Sequence, residues 1–146
     1  MKLLKYSNER YAGMRDQDVT FKPGMNVIIG DNETGKSTMI SGIYDTLLKA
    51  SKTDKRRDKE FIARSFPAGG GSSIDGRVKF DIDGQEYTVK KEWEKSGKDY
   101  RSTFITESTG DKYTNTEAED KIKELLGYGE SVYSNVIFGN QNNESE

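Results

Sequence analysis

Residues 25–40 read MNVIIGDNETGKSTMI: an apolar run, a glycine-bounded turn, then a helix-forming stretch. MNVII ends at Gly30 as a buried central strand would. GDNETGKS fits G-x-x-x-x-G-K-[ST], and a chance match in a chain of this length is roughly a half-percent event. A strand before it and a helix after it are the context this motif requires. Gly30 and Gly35 let the chain turn without side-chain interference, so successive N–H groups point inward at phosphate oxygens. The helix start adds free N–H groups and partial positive charge. The candidate nucleotide-binding segment is therefore Gly30, Asp31, Asn32, Glu33, Thr34, Gly35, Lys36, Ser37 and Thr38. Lys36 would bridge the β- and γ-phosphates, and Ser37 would place its hydroxyl on Mg²⁺.

Downstream, Ile40, Ile43, Tyr44, Leu47 and Leu48 fall at i, i+3, i+4, i+7 and i+8, which predicts one apolar helix face over roughly residues 36–49. Upstream, residues 2–7 and 17–21 read as short strands, with FKPG as a turn. Residues 50–73 are basic and polar, contain Pro67 and Gly69-Gly70-Gly71, and read as a long mobile loop. Asp83-Gly84 is a favoured hairpin turn. Folding about it sets Ile82 opposite Gln85, Phe80 opposite Tyr87, Val78 opposite Val89 and Ile74 opposite Trp93. Ile74, Val78, Phe80, Tyr87, Val89 and Trp93 then share one face, which favours core packing over base stacking. A third strand is expected around 100–106, with a turn near 108–111. Thr116-Glu117-Ala118-Glu119 reads as a capping box and Gly127 as a stop, with Ala118, Ile122, Leu125 and Leu126 as an apolar stripe.

The bulk properties narrow the chemistry. The 146 residues suit one domain or one lobe of a larger one. Charged residues reach 33% against 32% hydrophobic, so the core is modest and depends on patterned runs. Net charge is −2, giving the whole molecule no pull toward nucleic acid or membranes. The distribution is uneven: residues 49–64 hold seven basic and three acidic side chains, and residues 117–146 two basic and seven acidic. The basic stretch is either a solvated loop or a DNA contact patch, in which case Lys52, Lys55, Arg56, Arg57 and Lys59 are its candidates. With no cysteine and no histidine, disulfides, thiolate or imidazole metal sites and Ser-His-Asp catalysis are excluded. MKLLKYSNER lacks a signal-peptide core and no run reaches membrane-span length, so a cytoplasmic protein is the default.

Binding a nucleotide is not hydrolysing it. Phosphoryl transfer also needs an acid to hold the magnesium and a group to orient the attacking water. No run of four aliphatics followed by Asp-Glu occurs downstream of Lys36; VIFGN at 136–140 is the nearest apolar run, and it ends in Gly-Asn. The chain reads as part of a site.

Taken in order, MKLLKY…VTFKPGMNVIIGDNETGKSTMI, RVKFDIDGQEYTVKKEW and SVYSNVIFGNQNN resemble the N-terminal lobe of ABC-class ATPases that carry long coiled coils. That group includes SMC proteins, SbcC and its eukaryotic counterpart Rad-fifty, with RecF, RecN and YhaN as relatives; NVIFxxQ is especially similar to Rad-fifty. The resemblance implies an α/β fold: the N-terminal lobe of an ABC-ATPase-type P-loop NTPase, with a central partly parallel sheet, one phosphate-loop helix and an antiparallel hairpin or meander. It divides the chain into strands, phosphate loop and first helix at 1–49, a basic, glycine-rich loop at 50–73, antiparallel strands at 74–114, a helical segment leading to the Q-loop at 115–141, and the start of a coiled coil or tail at 142–146. It makes Gln141 the Q-loop glutamine, touching Mg²⁺ and the water near the γ-phosphate, so that Lys36 and Gln141 are the catalytic candidates, and Ser37 and Gln141 the metal contacts.

The resemblance also implies ATP and Mg²⁺ as ligands, and a C-terminal lobe that supplies the missing acid and the signature motif. A second head would join in an ATP-dependent dimer. DNA is implied as a partner of the full protein, a nuclease is a candidate partner, no membrane is involved, and the setting is nucleoid-associated. The isolated chain would bind nucleotide weakly and hardly hydrolyse it. Two departures stand out. Glu33 and Thr34 fill a loop commonly GxNGxGKS, a feature closer to YhaN-like and OLD-like proteins. Glu9-Arg10-Tyr11-Ala12-Gly13 replaces the Asn-Phe-Arg-Ser that SbcC and Rad-fifty heads carry after the first strand. The leading expectation is a DNA-tethering or DNA-repair ATPase half-head. The alternatives are an OLD- or RecF-like ATPase in phage defence or gap repair, and a nucleotide-gated dimerisation module without turnover.

Overall fold

The computed structural model describes residues 1–21, 33–67, 71–127 and 137–138, with side chains for 1–21, 38–67 and 71–127. Strands β1 (Lys2–Tyr11) and β2 (Met14–Thr20) precede helix α1 (Glu33–Leu48) and a short helix α2 (Lys59–Ser65). Then follow β3 (Ser73–Ile82), β4 (Gln85–Glu94), β5 (Arg101–Thr106), β6 (Asp111–Thr114), helix α3 (Asn115–Leu126) and the two-residue β7 (Ile137–Phe138). The sheet order is β2-β1-β3-β4-β5-β6, every neighbour antiparallel. β7 lies parallel to β1, pairing Lys2 with Ile137 and Leu3 with Phe138. The molecule is thus α/β with a six-strand antiparallel sheet. The buried strand expected at 25–29, on which a central partly parallel sheet would rest, lies outside the described residues.

The β3–β4 hairpin has the predicted register, from Ile82↔Gln85 to Ile74↔Trp93. Asp83 (φ 54°) and Gly84 (φ 85°) both take positive φ, as the two-residue turn demands. In β1 the register shifts between Leu3 and Lys5, and this irregularity lets Leu3 and Tyr6, three apart, face the same side.

Helices α1 and α3 cover one face of the sheet. Met39, Ile43 and Leu47 of α1 and Ala118 and Ile122 of α3 join Leu3, Tyr6, Val78, Phe80, Val89 and Phe104 in the main core. A second cluster gathers Tyr11, Phe61, Phe66, Ile74 and Trp93 beneath α2.

Two local expectations are corrected. Residues 59–65 of the supposed loop 50–73 are helical, because Phe61 is buried against Trp93 and Phe66, with ring centroids 5.4 and 6.4 Å away. The capping box is absent: α3 starts at Asn115 after an extended Thr114, and Glu119 turns away to bond Ser51 and Ser102. Gly127 does end the helix, at φ 88°, with its N–H on the Lys123 carbonyl.

Candidate functional site

Among the sequence-predicted site residues, Gly30, Asp31, Asn32 and Gln141 lie outside the described residues. Glu33, Thr34, Gly35, Lys36 and Ser37 are the first five residues of α1, with Thr38 next. The Gly-Lys-Ser triplet therefore opens a 16-residue helix, where N–H groups have no intrahelical partner and the dipole favours an anion.

A phosphate cradle is useful only if its helix is fixed, and α1 is held on several sides. Gly42 lets the helix approach Tyr6 so closely that a Cβ there would sit 2.2 Å from the phenol oxygen. In the opposite sense Gly76 of β3 makes room for Thr46, whose hydroxyl donates back to the Gly42 carbonyl at 2.7 Å. Asp45, buried on the same helix, accepts two hydrogen bonds from Arg64 of α2, at 2.7 and 2.9 Å, and one from the Tyr11 hydroxyl. Burial first, and then the Asp45 carboxylate, push the Tyr11 phenol well above its ordinary range. The Asp45 carboxylate likewise holds the Arg64 guanidinium in its charged form.

The helix carries no basic residue in its last turn. The strands below supply the missing donors. Lys91 Nζ donates to the Lys49 carbonyl and Trp93 Nε1 to the Ala50 carbonyl, capping the end of α1 with side chains of β4. Lys91 is 1% exposed and stands opposite Gly76. Burial lowers its pKa to about 8, partly opposed by Glu119. Glu119 of α3 in turn accepts from the Ser51 N–H at 3.0 Å and from the Ser102 hydroxyl.

Sequence reasoning missed both networks. The signals existed, however: Asp45 is a carboxylate on the inner side of an amphipathic helix, and Lys91 alternates with Val89 and Trp93 at an inward position.

The basic stretch divides in two. Lys49 pairs with Asp58, whose carboxyl it holds below the usual range, and Arg64 pairs with Asp45. Lys52, Lys55, Arg56, Arg57 and Lys59 are all exposed. Asp54 shapes their turn by accepting the Arg56 and Arg57 N–H groups at 2.8 and 3.1 Å. Arg10, the offset arginine after β1, lies with its guanidinium against Gly71 and gives its backbone N–H to Asp75 at 2.9 Å.

The free N–H groups at the start of α1 are donors of the kind that suit a phosphate. Among the described residues no group of three or more carboxylates gathers as a metal site. Among the same residues no helix is long and apolar enough to cross a membrane.

Known proteins match this chain in sequence. The family described as AAA domain matches residues 4–146. The DNA double-strand break repair Rad50 ATPase of Sulfolobus acidocaldarius is 31% identical over 142 residues, covering 94% of this chain and 15% of that protein. Its namesake from Sulfurisphaera tokodaii is 31% identical over 133 residues, 84% of this chain and 14% of that protein. The DNA replication and repair protein RecF of Halalkalibacterium halodurans is 37% identical over 68 residues, 46% of this chain and 18% of that protein. The chain thus spans about a seventh of the length of the Rad50 relatives.

Proposed function

The chain belongs to the AAA domain family as a lobe of the SMC/Rad50-like ATPase type, and from that premise we propose that it is the Mg-ATP-binding half-head of a DNA-repair ATPase. The observation that carries this reading is the placement of Gly35-Lys36-Ser37 at the start of a helix locked onto the middle of the sheet. Lys36 holds the β- and γ-phosphates by charge, the N–H groups from Gly30 to Thr38 cradle them, and Ser37 gives a hydroxyl to the metal. Gln141 completes the metal and water contacts, close in sequence to the short β7. Bound Mg-ATP supplies the phosphoanhydride whose cleavage drives the full head.

The acid that would hold the metal and the signature motif belong to a C-terminal lobe, and a second head closes the site in an ATP-dependent dimer. Acting on DNA in the cytoplasm, with a nuclease as candidate partner, is the setting this reading gives the full protein. RecF shares less than half of this chain, whereas the Rad50 likeness runs through it, which favours the repair half-head over the OLD/RecF alternative.

Mixing the chain with the C-terminal lobe of its parent protein and measuring ATP turnover tests the proposal. Turnover should arise only in the mixture and fall at least tenfold with Lys36→Ala. Binding without turnover in the mixture supports the dimerisation module instead.

A further inference from the structure

Asp45 is poorly suited to the place it occupies. It stands in the last turn of α1, where the helix dipole disfavours an anion, and its side chain is only 10% exposed. Replacing a buried ion pair by packed apolar groups is often neutral or stabilising. The stability of α1 therefore does not account for the carboxylate.

Its partners come from two other elements. Arg64 of α2 reaches it with both arms of the guanidinium, Nη1 at 2.7 Å from Oδ2 and Nη2 at 2.9 Å from Oδ1. That forked geometry fixes orientation as well as distance. The Tyr11 hydroxyl, at the end of β1, donates to the same Oδ2 and accepts from the same Nη1 at 3.1 Å. Three elements thus meet in one closed triangle of hydrogen bonds. Next to it the Ala12 N–H donates to the Ser65 carbonyl at 2.6 Å, a second tie between the end of β1 and α2.

Helix α2 depends on such ties. Seven residues are too few to stay helical without tertiary contacts, and its N-cap Asp58 makes no side-chain capping bond. Phe61 and Phe66 anchor it by packing, which fixes depth, whereas the fork on Asp45 fixes it against α1 itself. Asp45 lies nine residues beyond Lys36, about 14 Å along the helix at about 1.5 Å per residue. Through Asp45 the docking of α2 bears on the set of the helix whose other end opens with Gly-Lys-Ser.

We propose that Arg64 is a positioning residue for the nucleotide site: its fork on Asp45 couples the docking of α2 to the affinity of α1 for Mg-ATP. The inference rests on the ATP-binding reading and adds a regulatory input, the segment 52–65, to that site. Coupling between sites is reciprocal, so each side can be measured. In the unsubstituted chain, Mg-ATP should slow hydrogen exchange at the Phe66 and Ala12 N–H groups, which bond Ile62 and Ser65. Lys36→Ala should abolish that slowing. Arg64→Met should weaken Mg-ATP binding at least about fivefold, the lower end of ordinary coupling. Arg64→Lys, which keeps the charge without the fork, should weaken it less. Asp45→Leu/Arg64→Met leaves no orphan charge and should unfold no earlier than the parent chain. It should still bind Mg-ATP as weakly as Arg64→Met, with exchange at Phe66 and Ala12 indifferent to the nucleotide. A stable double variant with the parent's affinity overturns the coupling and leaves the nucleotide site standing. Exchange at Phe66 and Ala12 that Mg-ATP leaves unmoved in a parent chain that binds it does the same, whatever the variants do. A parent chain that binds no Mg-ATP overturns the inference together with the reading beneath it.

Discussion

At Lys91 an ammonium group is kept out of water under the end of α1, with its pKa lowered by burial from 10.5 to about 8. Between those values the unfolded chain binds more protons than the folded one, so stability should rise as pH increases through that window. The full gain is about 3 kcal/mol, at about 1.4 kcal/mol per pH unit. The tyrosines act in the other direction. Burial raises the phenol pKa values of Tyr6 and Tyr11 above their ordinary 10, so above that pH the unfolded chain loses protons that the folded one keeps. Urea midpoints measured from pH 7 to pH 11 should therefore climb to a maximum near pH 10 and then fall. Lys91→Met should remove the climb and leave the fall. A midpoint already falling between pH 8 and pH 10 would mean that Lys91 is not desolvated as described.

Helix α2 shows how an element can hide behind its own charges. Seven basic residues between 49 and 64 make the stretch read as a solvated loop, yet Phe61 carries it into the second core, with Lys49 and Arg64 over the faces of its ring at 5.3 and 5.4 Å. A Phe→Ala change in a core costs about 3–5 kcal/mol, more than a two-turn helix can retain. Phe61→Ala should therefore release α2 locally. Hydrogen exchange should show lost protection at Phe66 and Ala12, whose N–H groups bond Ile62 and Ser65, with Val78 and Val89 still protected. Uniform loss across the sheet would instead make α2 part of the main core. The β3–β4 hairpin is the opposite case. Its Asp-Gly turn and strict alternation specify register locally, so Ile74 to Trp93 pair as the sequence predicts. Glu119 was not legible in the same way, because its partners Ser51 and Ser102 are distant in sequence and outcompete the local capping bond. Local chemistry was readable in this chain; side chains spent on contacts between elements were not.

As a whole, the molecule is built on the two faces of one sheet. The inner face holds α1 through Gly42, Asp45, Thr46 and the Lys91 cap, so that the helix carrying Gly-Lys-Ser is anchored along its second half. The outer face sets Lys5 opposite Lys79 and Arg77 opposite Lys90, and beside them Asp75 opposite Glu92 and Asp81 opposite Glu86. The motif at 30–37 predicts what α1 holds, and on the proposed reading the acid for the metal comes from a C-terminal lobe. Half a site should bind without turning over. Equilibrium titration of the chain with Mg-ATP, beside its Lys36→Ala variant, tests this most directly. The account predicts saturable binding to the parent chain, at least tenfold weaker in the variant, with no measurable hydrolysis by either. Equal binding by both chains, or none by the parent, would contradict it.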